Sequence, residues 1–129
     1  GFVEDLKPYL NKVRLSFVPL RYGAGVKGKI GTSMAAGLPV VTTSVGAEGM
    51  GVTNRKHCLI EDDTQSFAHA ILRLYEDEKL WNNLRVNGLF FVEKHFSAVS
   101  AYTILAKILR KLGINVPVKH INKIQLYEK

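Results

Sequence analysis

Apolar residues at Val13, Leu15 and Phe17 alternate with Arg14 and Ser16, and Val18 joins them before Pro19. This two-residue period predicts a strand over 13–20, ended by a proline that has no amide to donate. Upstream, Leu6 and Leu10 have helical spacing, and Pro8 confines a helix over 4–11 to a single turn. Over 27–36, Ile30 and Met34 share a helical face beside the small residues Ala35 and Ala36. Gly37 suits the left-handed cap, and Pro39 prevents continuation. The β-branched run 40–43 reads as a short strand buried on both faces, and 58–61 as another. Three helical stripes follow. The first, with Thr64 as its expected cap after Asp62 and Asp63, carries Phe67, Ile71, Leu74 and Tyr75. The second, capped by Asp77, carries Leu80, Leu84 and Phe91, with Trp81 expected in the core. The third, capped by Ser97, carries Tyr102, Leu105, Ala106, Leu109 and Leu112, and ends at Gly113 with Arg110 and Lys111 in its last turn. Residues 114–129 show no period, and Pro117 interrupts them.

Strand, helix, strand, strand and then helices is the order of an α/β fold with a parallel sheet and right-handed crossovers. A three-stranded parallel sheet leaves an apolar edge uncovered. That edge, and a start at Gly1 with no basic-then-apolar leader pattern, suggest a piece of a longer protein or pairing with another chain.

The chain has 129 residues, 47% of them hydrophobic, which suits one domain with an ordinary core. No apolar run approaches the ~20 residues of a membrane span. The single cysteine, Cys58, allows no internal disulfide, reads as a small buried hydrophobe, and suits an intracellular setting. His57, His69, His95 and His120 lack metal-ligand spacing and read as surface or interface residues. The net charge of +7 is uneven. Between Lys7 and Lys56 stand eight Lys or Arg and one acid, Glu48. This basic half suits an anionic ligand. Nucleic acid or anionic lipid fits the charge alone, but no aromatic-rich strand or recognition-helix pattern accompanies it.

The candidate chemistry lies between Pro19 and Met50. Gly23-Ala24-Gly25-Val26-Lys27-Gly28 matches the G-x-G-x-x-G of dinucleotide sites, yet the following strand ends Thr42-Thr43-Ser44 where a ribose-binding acid belongs. Glu48 has about the right distance but lies beyond a Ser-Val-Gly turn. Gly23 to Lys29 also matches the start of a phosphate loop, whose eighth position here is Ile30, without a hydroxyl for Mg²⁺. The whole segment supports a third reading. Pro19-Leu20, Gly23-Ala24-Gly25, Lys29-Ile30, Met34-Ala35, Gly37-Leu38-Pro39-Val40-Val41, Thr42 and Gly46-Ala47-Glu48-Gly49, with Phe96-Ser97 further on, resemble in order the C-terminal half of GT-B glycosyltransferases of the family 4 type. The resemblance covers about residues 1–112.

That resemblance implies a partial Rossmann-like domain over 1–112, the C-terminal part of a GT-B donor-binding domain, with 113–129 as a tail. It implies a cytoplasmic enzyme fragment, inactive alone, with peripheral membrane association or self-association open. Its partners would be a nucleotide-sugar donor and a missing N-terminal acceptor domain, and the sugar would pass to a hydroxyl acceptor. No cofactor or metal is implied; the nucleotide-sugar is a substrate. Gly23, Gly25, Val26, Lys27, Lys29, Thr32, Glu48 and Gly49 would form the donor site, with Lys27 or Lys29 supplying a cation to the diphosphate. Many members place a ribose-binding glutamate where this chain has Thr32; Glu48 is a possible substitute. The competing reading is a nucleotide-binding or protein-interaction α/β module without transfer activity.

Overall fold

The computed structural model describes residues 2–116. The first short helix, α1 (Lys7–Leu10), is one turn with Pro8 in its opening positions. β1 (Ser16–Val18) leads to α2 (Gly28–Ala35), then β2 (Val40–Thr42), the short α3 (Ser44–Ala47), and β3 (Leu59–Ile60). α4 (Thr64–Glu76), α5 (Glu78–Phe96) and α6 (Ala98–Lys111) complete the described chain. Among the described residues the three strands form one parallel sheet in the order β1-β2-β3. Ser16 pairs with Val40 and Val41 with Leu59. The architecture is the expected α/β one, a three-stranded parallel sheet flanked by helices, consistent with a partial Rossmann-like domain.

Side-chain alternation sends the strands' residues to two cores. On one face Val18, Val40 and Cys58 pack with Ile30 and Met34 of α2 and Phe91 of α5. On the other, Val41 and Leu59 pack with Phe67, Ala70 and Leu74 of α4 and Leu84 of α5. The long α5 therefore serves both cores. Gly88 lets it approach α2, since a Cβ there would stand 3.4 Å from Met34 Cγ.

The starts of α4, α5 and α6 carry side-chain caps. Asp77 and Ser97 accept the amides of Leu80 and Ser100, as the spacing predicts. At α4 the cap is Asp63 and not Thr64: its carboxylate takes the Ser66 amide at 2.8 Å, and Thr64 is already helical. The carboxylate satisfies an orphan amide with a charge that the helix dipole favours. Three further expectations shift. The strand expected over 13–20 shrinks to three residues, ending ahead of Pro19 as predicted. Trp81 packs against the second core as expected but is only half-buried, its indole N–H donating to the Arg14 carbonyl at 2.7 Å while the Arg14 and Arg85 guanidiniums lie over its ring. The α6 stripe is covered only at Ala106 and partly at Tyr102 and Leu109, leaving Leu105 and Leu112 exposed. Of the expected tail, residues 117–129 lie outside the described residues.

Candidate functional site

The site lies where β1 and β2 end. After β1 the backbone enters Gly23 (φ 133°) and Gly25 (φ 78°), conformations that L side chains rarely adopt. The chain then starts α2 at Gly28 from Lys27, whose backbone is extended and whose side chain caps nothing. The first turn of α2 has no acid. Its opening amides thus have neither a capping side chain nor a nearby carboxylate, an arrangement suited to an anion.

Two threonines join the end of β1 to the end of β2. Thr42 donates to the Val18 carbonyl at 3.1 Å, and Thr43 donates to the Leu20 carbonyl at 2.6 Å. Thr43 Oγ1 also accepts the Gly46 amide at 3.1 Å and so caps α3. Gly46 is required here, because a Cβ would fall 2.0 Å from Thr42 Oγ1. Ser44 is fixed through its amide, which donates to Asp62 at 2.7 Å, and through a short hydroxyl bond to the same carboxylate. These bonds hold the Asp62 carboxyl below its ordinary value.

The two glycine turns meet. A Cβ on Gly49 (φ 72°) would stand 4.0 Å from Val26 Cγ2. The structure thus sets Gly49 beside Val26, which follows Gly23 and Gly25 in the first turn. Lys29 and Thr32 are exposed on α2, and Glu48 is exposed at the end of α3. Lys27 differs from the expected free cation. It is buried, with its ammonium donating to the carbonyls of Gly25 at 2.6 Å and Gly23 at 3.3 Å. In this conformation Lys27 braces the turn, and of the two lysines only Lys29 faces solvent. Both Lys27 acceptors are carbonyls that a turn built on positive φ would otherwise leave to water.

Sequence reasoning missed α3, read as a plain turn, and with it the roles of Thr42 and Thr43. A signal was present: Thr43 stands three residues before the Gly46 amide that it caps. Behind the site, His57 accepts the Thr53 amide on Nδ1 at 3.0 Å and stacks on Phe91 with ring centroids 4.5 Å apart. His95 packs on the same phenyl ring at 4.7 Å. Cys58 is fully buried, and burial pushes its thiol up to about 12, so it is an inert core residue.

The model of the family described as glycosyl transferases group 1 matches residues 1–77, more than half of the chain and all of both glycine turns. The chain belongs to the glycosyl transferases group 1. Two proteins of known sequence are similar to it, one of them with a glycosyltransferase name. A protein of Klebsiella pneumoniae, named as an uncharacterized 44.6 kDa protein in the cps region, is 27% identical over 104 residues, 81% of this chain. "Putative glycosyltransferase YtcC" of Bacillus subtilis (strain 168) is 36% identical over 80 residues, 60% of this chain. This group 1 chain spans 27% and 19% of the lengths of those relatives. Among its described residues no helix is long and apolar enough to cross a membrane.

Proposed function

We propose that this chain forms the donor-binding part of a transferase that moves a sugar from a nucleotide-sugar to a hydroxyl acceptor. The observation that carries the reading is the meeting of Val26 and Gly49 beside an uncapped α2 start. The backbone amides of that turn and the Lys29 ammonium would hold the donor diphosphate and stabilise charge on the departing nucleoside diphosphate. Gly23 and Gly25 let the backbone approach the ligand, and Lys27 keeps the turn in shape. Thr32, one turn into α2, and Glu48, beside Gly49, are the candidates for the ribose hydroxyls. The group 1 family and the relative whose name includes a glycosyltransferase support this reading.

Calorimetry of the full-length protein with nucleoside diphosphates and nucleotide-sugars tests it. Binding is expected at millimolar ligand or below, and Lys29→Ala should weaken it about tenfold, the loss of one charge-assisted contact. Thr32→Glu should raise donor affinity. Absence of heat with every nucleotide at millimolar concentration overturns the assignment. One observation favours a second reading, a nucleotide-binding module without transfer: Lys27 is spent on the turn and Thr32 carries no charge. Nucleotide binding with no release of nucleoside diphosphate from any nucleotide-sugar would decide for it.

A further inference from the structure

A second polar cavity lies two strands away from the glycine turn after β1, at the β3 margin of the sheet. It holds about 300 Å³ and is lined by Arg55, Leu59, Glu61, Ser66, His69 and Arg73, with Ala70 beneath. Its construction is regular. Ser66, His69, Ala70 and Arg73 stand at i, i+3, i+4 and i+7, one face of α4, while Leu59 lies in β3 and Glu61 is the first residue past its end. Leu59 and Ala70 are buried and give the cavity an apolar floor. The polar rim is His69, Ser66, Glu61 and two guanidiniums.

Two features point to an anion, and a third shows that the edge is open to a small ligand and not to a strand. First, among the described residues neither Arg55 nor Arg73 has a carboxylate partner, although acids are close in sequence. Asp62 is engaged by Ser44 and Asp63 by the Ser66 amide. Second, Arg55 is the single described non-glycine residue with positive φ, at 61°. A backbone of that kind suits glycine or asparagine, so an arginine there needs a reason beyond the turn itself. Its amide is bonded to the Cys58 carbonyl at 2.8 Å, which fixes the turn beside the cavity. Third, the β3 margin is closed to another strand. The Asn54 side chain accepts the Ile60 amide at 3.0 Å and donates to the Ile60 carbonyl at 3.2 Å. With its outward backbone groups satisfied, this edge offers a ligand side chains and not a ladder.

We propose that this cavity binds a small phosphomonoester with a hydroxylated body. The phosphate takes the Arg55 and Arg73 forks, with His69 as a further donor, and Glu61 accepts from a hydroxyl of the body. Guanidinium groups match phosphate oxygens in pairs, whereas the Glu61 carboxylate in the same lining repels a bare dianion and favours a donor group. The volume is at the lower end of small-molecule sites and suits a ligand of sugar-phosphate size. The site stands independently of the donor reading.

The test uses amide spectra and calorimetry on the full-length protein with glucose 1-phosphate, inorganic phosphate, glucose and sulfate. Glucose 1-phosphate should shift the amides of residues 55–73 and bind at millimolar concentration or below, more weakly as salt rises. Arg73→Gln and Arg55→Gly should each weaken binding about tenfold, the loss of a charge-assisted hydrogen bond. Arg55→Gly suits its backbone, so its fold is retained and its thermal midpoint stays level or rises. Lys29→Ala should leave this binding unchanged. Binding that survives both arginine changes, or that Lys29→Ala abolishes, overturns the site. Inorganic phosphate or sulfate binding as tightly as glucose 1-phosphate overturns the role of Glu61.

Discussion

The sharpest constraint on a single residue is at Gly46. Its missing side chain makes room for Thr42 Oγ1, which is fully buried and already donates to the Val18 carbonyl. Alanine at 46 must displace either that hydroxyl or α3. The expected cost is about 2 kcal/mol or more, the upper range for overpacking a tight interior. Chemical unfolding of Gly46→Ala checks it. Thr42→Ala removes the clashing oxygen, so the double variant should be more stable than the sum of the two single losses. Additive losses would show that the contact is not the cause. This need was invisible in the sequence, where Gly46 reads as one more turn glycine. The two partners are four residues apart, and only the fold of α3 back over β2 sets them against each other.

Among the elements, the long helices and the places of the three strands were legible, and the strand limits and the short α3 were not. The stripes of α4 and α5 and the caps Asp77 and Ser97 follow from period and spacing, because a long amphipathic helix repeats its signal several times. A two-residue strand such as β3 repeats nothing, so the run 58–61 gives its place but not its limits, which pairing with β2 sets. The glycine turns were legible as turns because positive φ demands glycine, but the fate of the Lys27 ammonium depends on carbonyls two and four residues back in a shape that spacing does not give. The loop from Gly51 to His57 adds a prediction of its own. His57 Nδ1 accepts the Thr53 amide, so the bond requires an unprotonated Nδ1. Burial against Phe91, then the charge of Lys56 and the neighbouring His95, lower the His57 pKa below its ordinary 6.5. A lowered folded value means that the unfolded chain takes the proton first. The stabilising contribution is therefore complete above about pH 6.5 and is lost as pH falls through the lower folded value. Exchange of the Thr53 amide should quicken over that fall, and His57→Phe should remove the pH dependence. An exchange rate that follows only the intrinsic chemistry of the amide would refute the switch.

At the scale of the molecule, the two margins of the sheet are unlike. The β3 side is closed by Asn54, but among the described residues no strand pairs with the outer side of β1. Ser16 donates its amide to Pro39, toward β2, so the alternation of a parallel ladder turns the amide and carbonyl of Phe17 outward. Phe17, paired with Val41, also lies on the sheet face that α4 covers at β2 and β3, and it is 58% exposed. An edge strand with apolar, solvent-facing side chains and free backbone groups is the kind that folded proteins avoid. This group 1 chain spans 27% and 19% of its relatives, so a longer protein has ample chain to cover that margin. The sheet is therefore expected to continue on the β1 side, with a strand beside Phe17 and an apolar element over its ring. Phe17→Ser separates the alternatives. If the ring stays in solvent, the change costs no more than about 0.5 kcal/mol, as for an ordinary surface site. If it is covered, the loss approaches the ~3 kcal/mol of a buried aromatic truncated in a core. Denaturant unfolding of the full-length protein should give the larger loss. Amide exchange at Phe17 should be slow there, and fast exchange with a near-neutral substitution would mean that the sheet ends at β1.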